Sequence, residues 1–148
     1  MFNEKELEEI KTYIKNSSEI SPVAVGCDAN YAGKNTLFAL SVGIHIDGKH
    51  GSRIFRTRFK EKRRMGLIEK LRREASLVLE LAQLVQPYCG KREFFVDLDL
   101  NPDEKEASNV IIKEAQSLIE AYGFRVRVKP FAWMATYASD HFVRGEEK

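Results

Sequence analysis

No apolar run in this sequence is long enough to cross a bilayer. The opening residues, MFNEKELEEI, are acidic and lack the hydrophobic stretch of a secretory leader, so a cytoplasmic protein is expected. Cysteine is scarce. Cys27 and Cys89 stand far apart with no metal-ligand spacing, which leaves two free thiols in a reducing compartment as the expectation. There is no Walker-type glycine-rich phosphate loop, no repeat and no low-complexity segment. Net charge is also small: +2 is too little to argue for a partner, so the placement of charge matters more than its sum. What remains is an apolar-rich chain of 148 residues, enough for one compact domain over 1–148 and too short for two.

The pattern of apolar residues divides the chain. Residues Asn3 to Lys15 read as a charged helix with Leu7, Ile10 and Ile14 on one side, a helical appendage over 1–16. Three extended segments follow, Pro22 to Cys27, Thr36 to Ile46 and Ser52 to Lys60. The last two are joined by an Asp-Gly hairpin signal at Asp47. A long helix is expected from about Met65 to Pro87, then a strand over Arg92 to Leu100. NPDE at Asn101 reads as a helix start, with Asn as cap and Pro at the first position. That helix should stop at Gly123, before a fifth strand in FRVRVKP and a helical tail.

Strands one and two are apolar on both faces and should lie centrally. The third and fifth alternate basic with apolar residues, Arg56, Arg58 and Lys60 in one and Arg125, Arg127 and Lys129 in the other, which suits sheet edges. The expected order is 3-2-1-4-5, a five-stranded mixed α/β sheet with strand two antiparallel. Strands one and four are then parallel neighbours, and their carboxyl ends form the crevice where open α/β sheets usually bind ligands.

Acids gather at that crevice. Asp28 closes the first apolar strand, and Asp99 lies at the carboxyl end of the fourth. At about 100° per residue, Glu74 falls on the apolar stripe of the long helix with Leu67, Leu71, Val78, Leu81 and Val85. Glu69 and Glu80 fall on the polar side with Arg73, Ser76 and Gln83. A carboxylate on a core stripe must be protonated, paired or metal-bound. Asp140 in ASDHF is a fourth candidate. Crowded carboxylates repel, and Mg²⁺ or Mn²⁺ would relieve them. Two such ions about 3.5–4 Å apart could activate a water and stabilise the leaving oxygen of a phosphodiester. Each acid has a plainer reading as well. Asp28 could cap a turn, Asp99 could cap the following loop, and Glu74 could pair with Arg72, Arg73 or a strand arginine. Asp97 is expected to be half-exposed and outside the site.

Between Arg53 and Arg73 the chain carries Arg56, Arg58, Lys60, Lys62, Arg63, Arg64, Lys70 and Arg72 in addition, interrupted by Glu61 and Glu69 alone among acids. Beside an acidic metal site this stripe suits nucleic acid running into the crevice. Alone it would read as a protected edge strand and a solvated helix face.

The order β-β-β-α-β-α-β-α and the stretches VGCDAN, REASLVLELAQ and DLDLNP, with the aspartate after the last strand, resemble the ribonuclease H-like superfamily. Within it the chain is most similar to the YkuK-like predicted nucleases. The resemblance spans roughly Pro22 to Asp140. It implies that Asp28, Glu74, Asp99 and Asp140 are both catalytic and metal-ligating, and that the protein is a metal-dependent nuclease. The rival is a non-catalytic module of the same fold that binds nucleic acid or protein. A small α/β phosphate-binding domain is disfavoured by the missing glycine-rich loop.

Overall fold

The computed structural model describes residues 1–98 and 106–128, the side chains of 106–108 excepted. The elements are α1 (Glu4–Asn16), β1 (Val23–Ala32), β2 (Asn35–His45), β3 (Ser52–Glu61), α2 (Leu67–Val85), β4 (Phe94–Leu98), α3 (Glu106–Ala121) and β5 (Arg125–Val128). The expected helix start at NPDE and the tail helix lie outside the described residues, as do Asp99 and Asp140.

Local chemistry sets the boundaries. Asn3 and Glu6 form a capping box at the start of α1: the Asn3 carboxamide accepts from the Glu6 N–H at 2.8 Å, and Glu6 accepts from the Asn3 N–H at 2.9 Å. Ile10 and Ile14 then anchor the helix in the core. The Asp-Gly turn between β2 and β3 forms as its sequence requires, with φ of 54° at Asp47 and 77° at Gly48. α3 ends where Gly123 takes a φ of 90°.

The sheet has the order β3-β2-β1-β4-β5. β2 is antiparallel to β1 and β3, while β1–β4 and β4–β5 are parallel. The basic strands β3 and β5 are therefore the edges. Strand alternation sends Val23, Val25, Cys27 and Ala29 of β1 to one face, where they join Leu71, Val78, Leu81 and Val85 of α2 and Ile111, Ile112, Ala115 and Ile119 of α3 in a single core. Ala24, Gly26, Asp28 and Asn30 point to the other face. Most of the expected α2 stripe is buried; Leu67, in the first turn, is 40% exposed.

β1 is longer than expected. It does not stop at Cys27 but continues through Asp28 to Ala32, because Asp28 to Ala32 pair with Ala39 to Asn35 of β2. The described pairing with β4 runs from Val23↔Phe94 to Cys27↔Leu98. The acid therefore does not end its strand. It stands one residue past the described parallel pairing, on a strand whose other edge is held by β2.

The segment entering α2 is tied to the β1–β2 hairpin. The buried Thr36 hydroxyl donates to the Arg63 carbonyl and accepts from the Met65 N–H, each at 2.9 Å. The Tyr31 hydroxyl donates to the Met65 carbonyl at 2.8 Å. These bonds hold the first turns of α2 beside the half of β1 that carries Asp28.

Candidate metal and nucleic-acid site

Asp28 is half-buried. Its Oδ1 accepts from the Ala29 N–H at 3.0 Å, and its Oδ2 from the Asn30 side-chain amide at 3.2 Å. This is the local turn-like bonding that an aspartate can supply, and it orients the carboxylate.

Glu74 is 4% exposed, as its place on the apolar stripe of α2 requires. One turn earlier Lys70 is also drawn inward: its Nζ lies 3.6 Å from Glu74 Oε1, with the two side chains 13% and 5% exposed. Lys70 was not among the expected partners; Arg72 instead pairs with Glu114 at 3.2 Å on the surface. The signal was nonetheless in the sequence, because residues four apart are neighbours on a helix. Lys70 also donates to the Ala29 carbonyl at 3.5 Å and lies 5.4 Å from the centroid of Tyr31.

Asp28 and Glu74 meet electrostatically at Cys27. Burial pushes the Cys27 thiol well above the usual range, and the Glu74 and then the Asp28 carboxylate push it further. Arg73 and Lys70 act in the opposite sense. Cys27 points toward α2 and Asp28 to the other face, so the two carboxylates flank this end of β1 from different sides.

Asp97 departs from expectation. It is fully buried and receives a two-pronged bond from Arg127, Nε to Oδ1 at 2.7 Å and Nη2 to Oδ2 at 3.0 Å. The reason is register: Asp97 pairs with Arg127 in β4–β5 and with Gly26 in β1–β4, which sets it between a glycine and a guanidinium.

The same register arranges the basic residues. Asp28 is opposite Ala39, and Ala39 is opposite Arg58; Gly26 is opposite Ser41, and Ser41 is opposite Arg56. Arg56, Arg58 and Lys60 therefore share the sheet face of Asp28. With strands about 4.8 Å apart, Arg58 starts roughly 10 Å from it. Arg58, Lys60, Lys62, Arg63 and Arg64 are exposed and Arg56 is half-buried. Arg63 forms a two-pronged ion pair with Glu69, which holds the Glu69 carboxyl below its ordinary range. Arg64 lies over the Tyr31 ring, 3.9 Å from its centroid. A cavity of about 870 Å³ lies elsewhere, between α1 and the β2–β3 turn, lined by Tyr13, Ser17, Asp47 and Arg53 among others. It is at the opposite end of the sheet from Asp28.

The donor chemistry fits a hard divalent cation: carboxylate oxygens, one of them buried, flanking one strand end. Among the described residues no group of three or more His, Cys, Asp or Glu side chains could by itself hold a metal. Asp28 and Glu74 are two of the four expected acids.

A family model described as Ribonuclease H-like matches residues 5–144. The chain belongs to the ribonuclease H-like family, and the resemblance to YkuK-like proteins is consistent with that membership. Among solved structures it is similar to the N-terminal ribonuclease H domain of Rv2228c from Mycobacterium tuberculosis, determined as a fusion with maltose-binding protein. The identity is 14% and the TM-score 0.39, over 85% of this chain and 99% of that one. No curated protein matches the chain. Among the described residues no helix is long and apolar enough to cross a membrane.

Proposed function

We propose that this protein is a metal-dependent nuclease that hydrolyses phosphodiester bonds of RNA or an RNA/DNA hybrid in preference to DNA. The observation that carries the reading is the buried Glu74 carboxylate on α2, at the end of β1 that carries Asp28, in a chain of the ribonuclease H-like family. A core carboxylate is costly unless it serves a charge partner or a cation. Asp28 and Glu74 would hold Mg²⁺ or Mn²⁺ together with Asp99, which follows Leu98 in sequence, and with Asp140. A bound divalent ion would supply Lewis acidity to the phosphoryl oxygens and ease deprotonation of an attacking water.

The chain's own residues do the rest. Asn30 and the Ala29 N–H fix the rotamer of Asp28. Arg56, Arg58 and Lys60, on the same sheet face, bind phosphates of the strand and draw it toward the carboxylates. Lys62, Arg63 and Arg64 extend that track around the hairpin.

The test is cleavage of end-labelled RNA, DNA and hybrid duplexes with Mn²⁺ or Mg²⁺, by wild type, Asp28→Asn and Asp99→Asn. Cleavage of RNA or hybrid by wild type, and at least a hundredfold loss in both variants, is expected. Metal-independent binding that both variants retain, with no cleavage, would instead make the protein a non-catalytic binding module.

A further inference from the structure

We propose that Lys70 is a built-in counter-cation that competes with divalent metal for the Glu74 carboxylate and thereby weakens metal binding. The proposal rests on the reading of Glu74 and Asp28 as metal ligands and adds a residue that sets their affinity.

Three contacts define where the ammonium sits. It is 3.6 Å from Glu74 Oε1, 3.5 Å from the carbonyl of Ala29, the residue after Asp28, and 5.4 Å from the Tyr31 centroid. Carboxylate, carbonyl and ring face all favour a cation. Its side chain is 13% exposed, and Arg64 lies over the same Tyr31 ring. A lysine drawn this far inward on a helix whose other basic residues, Arg72 and Arg73, are exposed is not a solvated surface charge.

The physical consequence follows from charge. With no metal bound, the ammonium offsets the repulsion among the acids, so the fold does not depend on the ion. A divalent cation approaching Glu74 meets a positive charge already in place. To bind, it must displace the ammonium or bear its repulsion, and either cost subtracts from affinity. Lysine suits the task, since its flexible stem lets the ammonium withdraw to solvent, where it is strongly hydrated.

Mn²⁺ titration calorimetry on wild type, Lys70→Met, Lys70→Arg, Glu74→Gln and Lys70→Met/Glu74→Gln tests this, with thermal melts in chelator and in Mn²⁺. Lys70→Met keeps the apolar stem and removes the charge. It should bind Mn²⁺ at least tenfold more tightly than wild type, about 1.4 kcal/mol, and melt lower in chelator. Should it fold only with Mn²⁺ present, that is the same outcome in stronger form. Lys70→Arg should bind within about threefold of wild type. In the double variant the gain should vanish relative to Glu74→Gln alone, because the competed carboxylate is gone. A lysine that only packs would not raise metal affinity when removed. If wild type binds Mn²⁺ and Lys70→Met binds it equally or less tightly, the competition is refuted while the metal site stands. If neither protein binds Mn²⁺ at millimolar concentration, the metal site itself is refuted, and the competition with it.

Discussion

Replacing Arg127 with Met should destabilise the protein far more than any other substitution on β5. Asp97 is fully buried and Arg127 is 20% exposed, with both carboxylate oxygens engaged at 2.7 and 3.0 Å. With charge centres roughly 4 Å apart and an effective dielectric of about 20, the pair attracts by about 4 kcal/mol before desolvation. Losing the guanidinium leaves a carboxylate inside the sheet, and breaking a buried pair in this way costs about 3–5 kcal/mol. The partial exposure of Arg127 points to the lower end, about 3 kcal/mol. At roughly 3 °C per kcal/mol for a chain of this length, the midpoint should fall by about 10 °C. Asp97→Leu combined with Arg127→Met should recover most of the loss, because the buried carboxylate goes with its guanidinium. Arg125→Met is the control. Its ion pair with Glu93 spans 3.4 Å between side chains 59% and 60% exposed, and such pairs contribute under about 1 kcal/mol. Urea denaturation followed by circular dichroism measures all four proteins. A loss below about 1 kcal/mol for Arg127→Met, or a double variant as unstable as the single, would show that the Asp97–Arg127 pair does not hold β5 to β4. Asp97 stands two residues before Asp99, so the same pair steadies the strand that leads to a proposed metal ligand.

Three further outcomes are expected. Glu74→Gln should lose the Mn²⁺-induced rise in melting temperature, whereas Glu80→Gln, on the exposed side of α2, should keep it; equal behaviour in a melting series would remove Glu74 from the site. Replacing Arg56, Arg58 and Lys60 with Ser should weaken RNA binding and flatten the slope of log K against log salt by about 0.7–0.9 per lost phosphate contact, and an unchanged slope in fluorescence titrations would assign these residues to solubility. Cys27 and Cys89 should resist iodoacetamide at pH 8 in the native protein and react only in urea: burial raises both thiols, Cys89 from 9.0 to about 12. The corresponding stability is complete below about pH 9 and is lost as pH climbs from there toward 12, since the unfolded chain releases thiol protons that the folded one keeps. A flat urea midpoint between pH 8 and pH 10.5 contradicts this.

Much of the architecture could be read from periodicity. Alternating charge marked β3 and β5 as edges, and from that the whole strand order followed. The core stripe of α2 singled out Glu74, because one polar residue among buried apolar ones breaks a pattern that solvent imposes on every helix. Features that depend on register between distant strands were not legible. Nothing local to Asp97 announces that Gly26 and Arg127 flank it across two strands. Nor could the length of β1 be read locally: past Cys27 its composition turns polar, and its continuation depends on pairing with β2. Lys70 was hidden for a related reason. Amid a run of basic residues its type says surface, and only its i,i+4 relation to a buried glutamate says otherwise.

A shared divalent-metal site at Asp28 and Glu74 would be visible in a crystal of the wild-type protein soaked in Mn²⁺. An anomalous difference peak bonded to carboxylate oxygens of Asp28 and Asp99 at about 2.1 Å is expected, with Glu74 as a direct ligand of that ion or of a second one about 3.5–4 Å away. A map with no anomalous peak near Asp28 at saturating Mn²⁺, with Glu74 still paired to Lys70 and the carboxylates too far apart to share an ion, would contradict it.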